Sequence, residues 1–347
     1  IIYFNTKRTS YKLKKMDILS FLLVSLIIFI LLLASASIII SFVSILVFAN
    51  INYNFFYYNR KAKLSDIAYI KNTLIFMVKM VKLSLGSKYE INVTTSDDIK
   101  YCGDVVKSTL CKCFYLNNNY EPSVTVYLKK ILKEGDIFID VGANEGVFGI
   151  LAGKLVGPTG KVYCIEPLPK NIPLLKKNIQ INNLNNVIIY DVAAGDEDTE
   201  ISFFEVKFFN MLGGAENKMA TVLSKIPGLI QESKVKQRRL DTLINEPLDK
   251  IKLIKIDTEG HEEHVLKGMD TWLKGEVSFD FIIEMTPSKS KYITDLLLSK
   301  HKYTGYMHWM DSVAYDDKVY WERLDINCNI KKNVLFTKKP LEKGILN

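Results

Sequence analysis

Short apolar runs and segments with helical spacing alternate along the chain from residue 135 onward. Apolar runs of strand length lie at residues 137–141, 161–165, 187–192, 251–256 and 279–284. Helical spacing follows at residues 146–155, 169–182 and 261–273. Regular alternation of this kind is typical of a doubly wound, mostly parallel α/β sheet. A closing hairpin at residues 306–309 and 333–337 would bring the predicted sheet to seven strands.

The N-terminal part has a different pattern, in which residues 18–59 form an apolar run of 42 residues without a charged side chain. As one helix this run would be about 63 Å long, against a hydrocarbon core of about 30 Å. A helical hairpin with passes at 18–34 and 38–58 fits this length, and a single tilted helix is the alternative. Both predict an N-terminal transmembrane helical anchor within residues 1–63, with the lipid bilayer as a partner.

Basic residues flank this run on both sides, at residues 7–15 and 60–63. Because Lys and Arg accumulate on the cytoplasmic side of membrane segments, we expect the C-terminal domain to face the cytoplasm. The first methionine is Met16, which leaves Ile1 and Met16 open as starts, and the second flank favours the same orientation for both.

Residues 64–126 connect the predicted anchor to the predicted sheet. Residues 66–86 have the pattern of an amphipathic helix that would lie on anionic lipid or dock on the C-terminal domain. Residues 88–127 show short alternating stretches that predict a small β cap. The predicted domains are therefore the anchor at 1–63, the helix and cap at 64–126, and a Rossmann-like domain at 127–347.

Charge and cysteine content argue against two classes of protein. Most of the net charge of +8 lies in residues 1–63, and the remaining residues carry only +1. A nucleic-acid-binding domain would carry a basic footprint, so we expect no nucleic-acid partner. The five cysteines lack C-x-x-C spacing and suit neither a disulfide framework nor a zinc site.

A glycine turn follows the first predicted strand, at the position where sheets of this class bind their ligand. Asp140 lies near the end of that strand, and Gly142 and Gly146 enclose the turn. The second strand ends in Glu166, where a carboxylate can accept hydrogen bonds from both ribose hydroxyls of an adenosine. The turn lacks G-x-G-x-x-G, which argues against a nicotinamide dinucleotide.

Two later strands also end in acids, Asp257 and Glu284, which a parallel sheet would place in the same crevice as Asp140 and Glu166. A positively charged sulfonium fits a pocket rimmed by carboxylates, whereas the phosphates of a dinucleotide would be repelled. This charge pattern favours S-adenosylmethionine as the ligand.

Several fragments, in this order and spacing, resemble the FkbM-type methyltransferases. They are FIDVGANEG at 138–146, IEP at 165–167, RLDTL at 239–243, IKIDTEG at 254–260 and LKG at 266–268. The resemblance covers about residues 127–336. It implies the class I methyltransferase fold, S-adenosylmethionine as cofactor, and O-methylation, often of sugars, polyketides or other secondary metabolites.

The resemblance also implies roles for particular residues. It assigns Asp140, Gly142, Asn144 and Gly146, with Ala143 in the same turn, to the methionine end of the cofactor. It assigns Glu166 to the ribose, and it places Asp191 and Val192 beside the adenine.

Asp257, Glu259 and His261 follow the fourth strand and are the candidate catalytic residues. His261 stands where the family pattern D-x-E-G-x-E has a small residue, and its imidazole could take the proton of an acceptor hydroxyl. The alternative is an exposed histidine without a role. Asp257 and Glu259 could instead cap the next helix, and Lys255 could pair with an acid. His261 and His264 lack H-E-x-x-H spacing, so we expect no metal.

Residues 205–236 form a long excursion, which predicts a lid over the acceptor. Taken together, the sequence predicts a membrane-anchored S-adenosylmethionine-dependent methyltransferase that modifies a hydroxyl of a glycan, glycolipid or secondary metabolite. The alternative is a non-catalytic, membrane-tethered binding module with the same fold.

Overall fold

The computed structural model of the protein describes residues 90–95, 97–104, 108, 111, 114, 120–206, 230–275, 279–308, 321–329, 332–339 and 341. All of them belong to one unit of the chain, Ile70–Asn347. The predicted anchor at 18–59 and the predicted amphipathic helix at 66–86 lie outside the described residues. Within these ranges, no helix combines the length and apolar character needed to cross a membrane.

Strands make up most of the described framework. In chain order they are β1 (Glu90–Thr94), β2 (Lys100–Asp104), β3 (Ile137–Val141), β4 (Lys161–Ile165), β5 (Val187–Tyr190), β6 (Ala193–Ala194), β7 (Thr199–Val206), β8 (Ile230–Arg238), β9 (Ile251–Ile256), β10 (Asp280–Met285), β11 (Thr304–His308), β12 (Trp321–Arg323) and β13 (Lys332–Thr337).

Helices connect these strands. In chain order they are α1 (Pro122–Ile131), α2 (Val147–Leu155), α3 (Ile172–Ile181), α4 (Leu240–Leu243), α5 (Glu262–Lys267), α6 (Asp270–Lys274) and α7 (Lys291–Thr294). A 3-10 turn at Pro287–Lys289 precedes α7, and a π-helical segment at Asp295–Lys300 follows it.

The main sheet has the spatial order β12-β11-β13-β10-β9-β3-β4-β5. Strands β10, β9, β3, β4 and β5 are parallel neighbours, and β13, β11 and β12 complete the sheet in antiparallel pairs. The predicted class I α/β fold is therefore confirmed. Because β3, β4, β9 and β10 run in the same direction, their carboxyl ends meet along one edge, where such sheets bind ligands.

The predicted count of seven strands is wrong, since β12 adds an eighth strand to the described sheet. Trp321 in β12 is 1% exposed, and its ring meets that of Tyr127 edge to face at 6.0 Å between centroids. Burial of this large aromatic side chain stabilises the pairing of β12 with β11. Because β12 has only three residues, it is too short to show the alternation of apolar and polar residues that predicts a strand.

The predicted helix at 261–273 is two helices, α5 and α6, which are separated at Gly268 and Met269. A Cβ on Gly268 would lie 1.8 Å from the carbonyl oxygen of Gly195. The backbone of the segment before β7 therefore approaches α5 at a distance that only glycine permits. This approach is a tertiary contact, so the local pattern of apolar residues does not predict the break.

A second sheet with the order β6-β8-β7 stands beside the main sheet. Strands β7 and β8 pair in antiparallel fashion from Thr199 opposite Gln237 to Val206 opposite Ile230. Both ends of the predicted excursion at 205–236 are thus strands and not loop, while residues 207–229 lie outside the described ranges. Strand β8 is mostly polar, with Ile230 and Val235 as its apolar residues, so its sequence does not show the alternation that predicts a strand.

The β1–β2 hairpin is bonded to the helices beside the ligand edge. The hydroxyl of Tyr101 donates to the carbonyl oxygen of Val147 at 2.9 Å, and the backbone N–H of Cys102 donates to Asn178 Oδ1 at 2.9 Å. The predicted boundary at residue 126 falls inside α1, whose buried residues Val124 and Leu128 belong to the same hydrophobic core as β3 and α2.

Candidate functional site

The turn between β3 and α2 folds back on the end of β4. The backbone N–H groups of Gly142 and Ala143 donate to the carbonyl oxygen of Ile165 at 2.9 and 3.1 Å. Gly142 has φ +83°, and a Cβ there would lie 1.9 Å from the carbonyl oxygen of Asp257. Glycine is therefore required at position 142 both for its conformation and for the approach of β9.

Glu166 fastens this turn to the end of β4 and is 3% exposed. Its Oε2 accepts from the backbone N–H of Asn144 at 2.8 Å, and its Oε1 accepts from the N–H of Leu168 at 2.9 Å and Nδ2 of Asn171 at 3.1 Å. Burial raises the pKa of Glu166 to about 7, although these hydrogen bonds favour the charged form. The side chain thus orders the turn in addition to lining the cleft described below.

Lys255 lies at the centre of the ligand edge, paired in register with Asp140 on the neighbouring strand. It is 2% exposed, with Nζ 2.9 Å from Asp257 Oδ2 and 4.9 Å from the centroid of the Phe148 ring. Burial alone would lower its pKa, but the carboxylates of Asp257, Glu121 and Asp140 raise it, so the ammonium stays charged.

Asp140 lies below the cleft and is 1% exposed. Burial raises its pKa to about 6, while the ammonium of Lys255 lowers it. Its Oδ2 has no hydrogen-bond partner among the described residues. The expectation that Lys255 pairs with an acid is confirmed, although Lys255 was not among the predicted site residues. The signal was a single basic residue in the otherwise buried end of β9.

A cleft of about 1150 Å³, part of it open to solvent, follows the carboxyl ends of β3, β4, β9 and β10. Of the predicted site residues, those that line it are Gly142, Ala143, Asn144, Glu166, Asp257, Glu259 and His261.

The other predicted residues lie away from the cleft wall. Asp140 and Gly146 are buried beneath it, Asp191 is exposed, and Val192 packs against the core. The polar and aromatic lining residues that the prediction did not include in the site are Tyr120, Glu121, Glu145, Phe148, Asn171, Phe203, Lys255 and Thr258. Residues 120 and 121 come from the segment before α1, whose position depends on the tertiary fold.

The charge of the cleft is strongly negative in the part of the chain that the structure describes. The carboxyl side chains in its lining are Glu121, Glu145, Glu166, Asp257, Glu259 and Glu284, and its basic side chains are Lys255 and His261. Each of Asp257, Glu259 and Glu284 has one oxygen within 4.8 Å of the others. The expectation that no metal binds here stays a prediction. The ion pair between the Lys255 ammonium and Asp257 favours it, because the ammonium already balances one of these three carboxylates.

Helix capping does not explain Asp257 or Glu259, since α5 begins after His261 and no side chain caps it. Glu262, in the first turn of α5, instead binds the backbone of the loop between β9 and α5. Its Oε1 accepts from the backbone N–H groups of Thr258 and Gly260 at 3.1 and 2.9 Å. The carboxylates of Asp257 and Glu259 are consequently directed by the loop toward the cleft that they line.

His261 is buried, with 8% exposure, so the alternative of an exposed histidine is wrong. Its Nε2 lies 2.9 Å from Gln237 Oε1, and its ring stacks on that of His264 with centroids 4.5 Å apart. The contact with β8 holds the ring at the cleft.

The RLDTL segment stabilises the fold and does not line the cleft. Arg239 donates from Nε and Nη2 to the two carboxylate oxygens of Asp241 at 3.0 and 2.8 Å, and from Nη1 to the carbonyl oxygen of Asp196 at 2.9 Å. It also pairs with Asp270. The guanidinium therefore joins α4, α6 and the segment after β6.

Comparison with known proteins gives the same class of domain. Residues 140–306 match the family model of the methyltransferase FkbM domain. The chain is 26% identical over 186 residues to "Methyltransferase 1" of Beauveria bassiana (strain ARSEF 2860), which covers 49% of this chain and 72% of that protein.

Two further similarities accompany these matches. A probable cobalt-precorrin-6B C(15)-methyltransferase of Sulfurisphaera tokodaii is 30% identical over 156 residues, covering 44% of this chain and 78% of that protein. A crystal structure of methyltransferase FkbM from Methylobacillus flagellatus KT aligns with a TM-score of 0.35 at 14% identity, covering 78% of this chain and 60% of that one.

Replacing Lys255 by Met should lower the free energy of unfolding by about 3 to 5 kcal/mol, because it leaves buried carboxylates without their counter-charge. Urea denaturation measures the loss. The double variant Lys255→Met with Asp257→Asn should recover part of it.

The matched control is Lys267→Met, which removes a half-exposed pair with Glu263 at 3.0 Å and should cost less than about 1 kcal/mol. Equal losses for the two lysine variants would show that Lys255 is not the counter-charge of the cleft.

The raised pKa of Glu166 predicts a pH dependence of stability. Between its ordinary value of 4.5 and about 7, folded Glu166 holds a proton that the unfolded chain releases. This contribution to stability is complete below about pH 4.5 and is lost as the pH rises to about 7. Glu166→Gln should therefore reduce the fall in stability between pH 5 and pH 8, by up to about 3 kcal/mol. Parallel pH profiles of the two proteins in thermal denaturation would refute the assignment.

Proposed function

Because the chain belongs to the FkbM-type family of S-adenosylmethionine-dependent methyltransferases, we propose that it methylates a hydroxyl group of a glycan, glycolipid or secondary metabolite. The cofactor is S-adenosylmethionine. The observation that supports this proposal most is the acidic cleft at the carboxyl edge of the parallel sheet, with Glu166 and the glycine turn on one side and Asp257, Glu259 and His261 on the other.

The cleft suits this cofactor in charge and in hydrogen-bonding groups. Its carboxylates outnumber its basic side chains, and such an excess favours a cationic ligand over a phosphorylated one. Gly142, Ala143 and Asn144 would hold the methionine end, and Glu166 would accept hydrogen bonds from the ribose. When bound, S-adenosylmethionine supplies an electrophilic methyl group.

Residues of the chain would position the acceptor and remove its hydroxyl proton. Methyl transfer depends mainly on alignment of the acceptor oxygen with the methyl carbon, so positioning contributes more than a strong base. Asp257 and Glu259 would orient the acceptor through hydrogen bonds from its hydroxyl groups. His261 would take the hydroxyl proton, as an imidazole can near neutral pH. Ile201 and Phe203 of β7 give the same cleft an apolar wall for the acceptor.

We place the acceptor at a membrane surface on the basis of the amino-acid sequence. The apolar run at residues 18–59 and the basic residues after it favour a chain held in the bilayer with this domain on the cytoplasmic side. A lipid-linked glycan precursor would then be within reach. The net charge of residues 64–347 is only +1, which does not favour nucleic acid in its place.

The full-length protein, given S-adenosylmethionine and a membrane extract, should produce S-adenosylhomocysteine. Mass spectrometry of the extract should show a lipid or glycan whose mass is about 14 Da higher, because a methyl group replaces the hydrogen of one hydroxyl. His261→Ala should lower the rate by about 10²-fold without changing cofactor affinity, because it removes only proton transfer.

His301→Ala is the matched control and should leave the rate unchanged, since His301 does not line the cleft. Cofactor binding without turnover on any extract would favour the non-catalytic binding module. Equal rates for His261→Ala and the unaltered protein would remove the proton role of His261.

Membrane attachment makes a separate prediction. The full-length protein should stay in the membrane pellet after washing at pH 11, because about 20 apolar residues suffice for one helical pass. A variant with two Lys residues placed in each predicted pass, for example Leu23→Lys and Leu46→Lys with a neighbour of each, should move to the supernatant. Release of the unaltered protein by the wash would contradict the anchor.

A further inference from the structure

Glu121 lines the cleft but lies outside residues 140–306, which match the family model. It directly precedes α1, and its side chain is partly buried. An acid at this position commonly accepts hydrogen bonds from the first turn of its own helix. Glu121 does not cap α1, and its φ of +37° lies in the left-handed region, which is unfavourable for a glutamate. Contacts outside α1 therefore set the position of its carboxylate.

Asn333 of β13 makes one of these contacts. Its Nδ2 donates to Glu121 Oε2 at 3.0 Å, and the side chain of Asn333 is 2% exposed. Oδ1 of the same carboxamide has no hydrogen-bond partner in the part of the chain that the structure describes. A buried carboxamide with one end unbonded destabilises the core in which it lies. We therefore interpret Asn333 as a residue that serves the position of Glu121 and not the packing of β13.

Glu121 lies on the side of the cleft where the methionine end of the cofactor is expected. The ring of the preceding residue, Tyr120, packs against that of Phe148 with centroids 5.9 Å apart, and Phe148 follows the glycine turn by two residues. Burial lowers the pKa of Lys255, and the carboxylates of Asp257 and Glu121 raise it, so the Glu121 carboxylate lies near this ammonium. These contacts place Glu121 between the start of α2 and the end of β9.

The methionine end carries an α-ammonium and an α-carboxylate, which the glycine turn is poorly equipped to bind through its N–H groups. The N–H groups of Gly142 and Ala143 donate to the carbonyl oxygen of Ile165, and that of Asn144 donates to Glu166. An ammonium in addition needs acceptor oxygens, and a carboxylate gives the stronger, charge-assisted bond. Recognition of the ammonium therefore requires an acidic side chain.

Other acids near the turn have functions within the protein. Glu166 already accepts from three donors, Glu145 accepts from Ser108 and is 5% exposed, and Asp257 pairs with Lys255. The bond that Glu121 accepts from Asn333 comes from a neutral carboxamide, which leaves the charge of the carboxylate unchanged. Since a carboxylate can accept about four hydrogen bonds, this one leaves capacity for a ligand.

We propose that Glu121 is a further cofactor-binding residue that accepts a hydrogen bond from the α-ammonium of the methionine end, and that Asn333 is its positioning residue. This inference rests on the orientation of the cofactor in the proposed function, with the methionine end at the glycine turn. The amino-acid group of the cofactor has no net charge, because its ammonium and carboxylate balance. Its ammonium is therefore recognised by a direct contact and not by the overall negative charge of the cleft.

Isothermal titration calorimetry on the full-length chain tests the contact with three nucleosides. S-adenosylhomocysteine has the ammonium and the carboxylate, its decarboxylated form keeps only the amine, and 5′-methylthioadenosine lacks both. Glu121→Gln, which preserves the shape of the side chain, should weaken binding of the first two by about 10- to 100-fold, because a charged hydrogen bond is lost. Binding of 5′-methylthioadenosine should not change.

Glu284→Gln is the matched control, because it removes the same charge from the same lining. It should change the three affinities by similar factors. Asn333→Leu should weaken binding of the two amines by about 3- to 10-fold, as for loss of a neutral hydrogen bond, and leave 5′-methylthioadenosine unaffected. A purely structural role of Asn333 would change all three affinities together. If thermal denaturation shows that Asn333→Leu does not fold, Glu121→Gln alone decides the proposal.

Unchanged binding of S-adenosylhomocysteine by Glu121→Gln, or an equal loss for 5′-methylthioadenosine, would overturn the proposal. Because these titrations need no acceptor, their outcome is separable from that of the proposed function. The expected affinities in a protein that methylates no hydroxyl would contradict the proposed function alone. A protein that binds none of the three nucleosides would contradict both.

Discussion

The buried ammonium of Lys255 is the interaction on which the ligand edge depends. Several strand ends carry acids to the same place, and their mutual repulsion in a partly buried cleft would favour protonation or unfolding. Lys255 lies among them, 2.9 Å from Asp257 and opposite Asp140 in register. This charge favours the ionised form of Asp257 and Asp140, and so helps the cleft to keep the negative potential that a cationic cofactor requires.

Close backbone approaches complete the site that this charge makes possible. Gly142 allows the first turn to meet the end of β9, and Gly195 and Gly268 allow the second sheet to meet α5. The first approach shapes the cofactor side of the cleft, and the second places His261 and its hydrogen-bond partner. The RLDTL segment stabilises the contact between the second sheet and α5, because Arg239 donates a hydrogen bond to the carbonyl oxygen of Asp196, the residue after Gly195.

The amino-acid sequence predicted the parallel half of the sheet well. Strands β3, β4 and β9 have the predicted bounds, because fully buried strands are continuous apolar runs that end in polar residues. The turn at Gly142 and the acid at Glu166 were found for the same reason. Features that depend on distant contacts were missed, among them the break at Gly268, strand β12, the position of Glu121 in the cleft lining and that of Gln237 beside His261. The bilayer and acceptor predictions stay predictions.

A crystal structure of the full-length protein with S-adenosylhomocysteine tests the central claim most directly. The account predicts the nucleoside in the cleft at the carboxyl ends of β3, β4 and β9, with its ribose hydroxyls bonded to Glu166 and its sulfur near the acids around Lys255. A nucleoside bound elsewhere, or one whose ribose contacts a different acid, would contradict it.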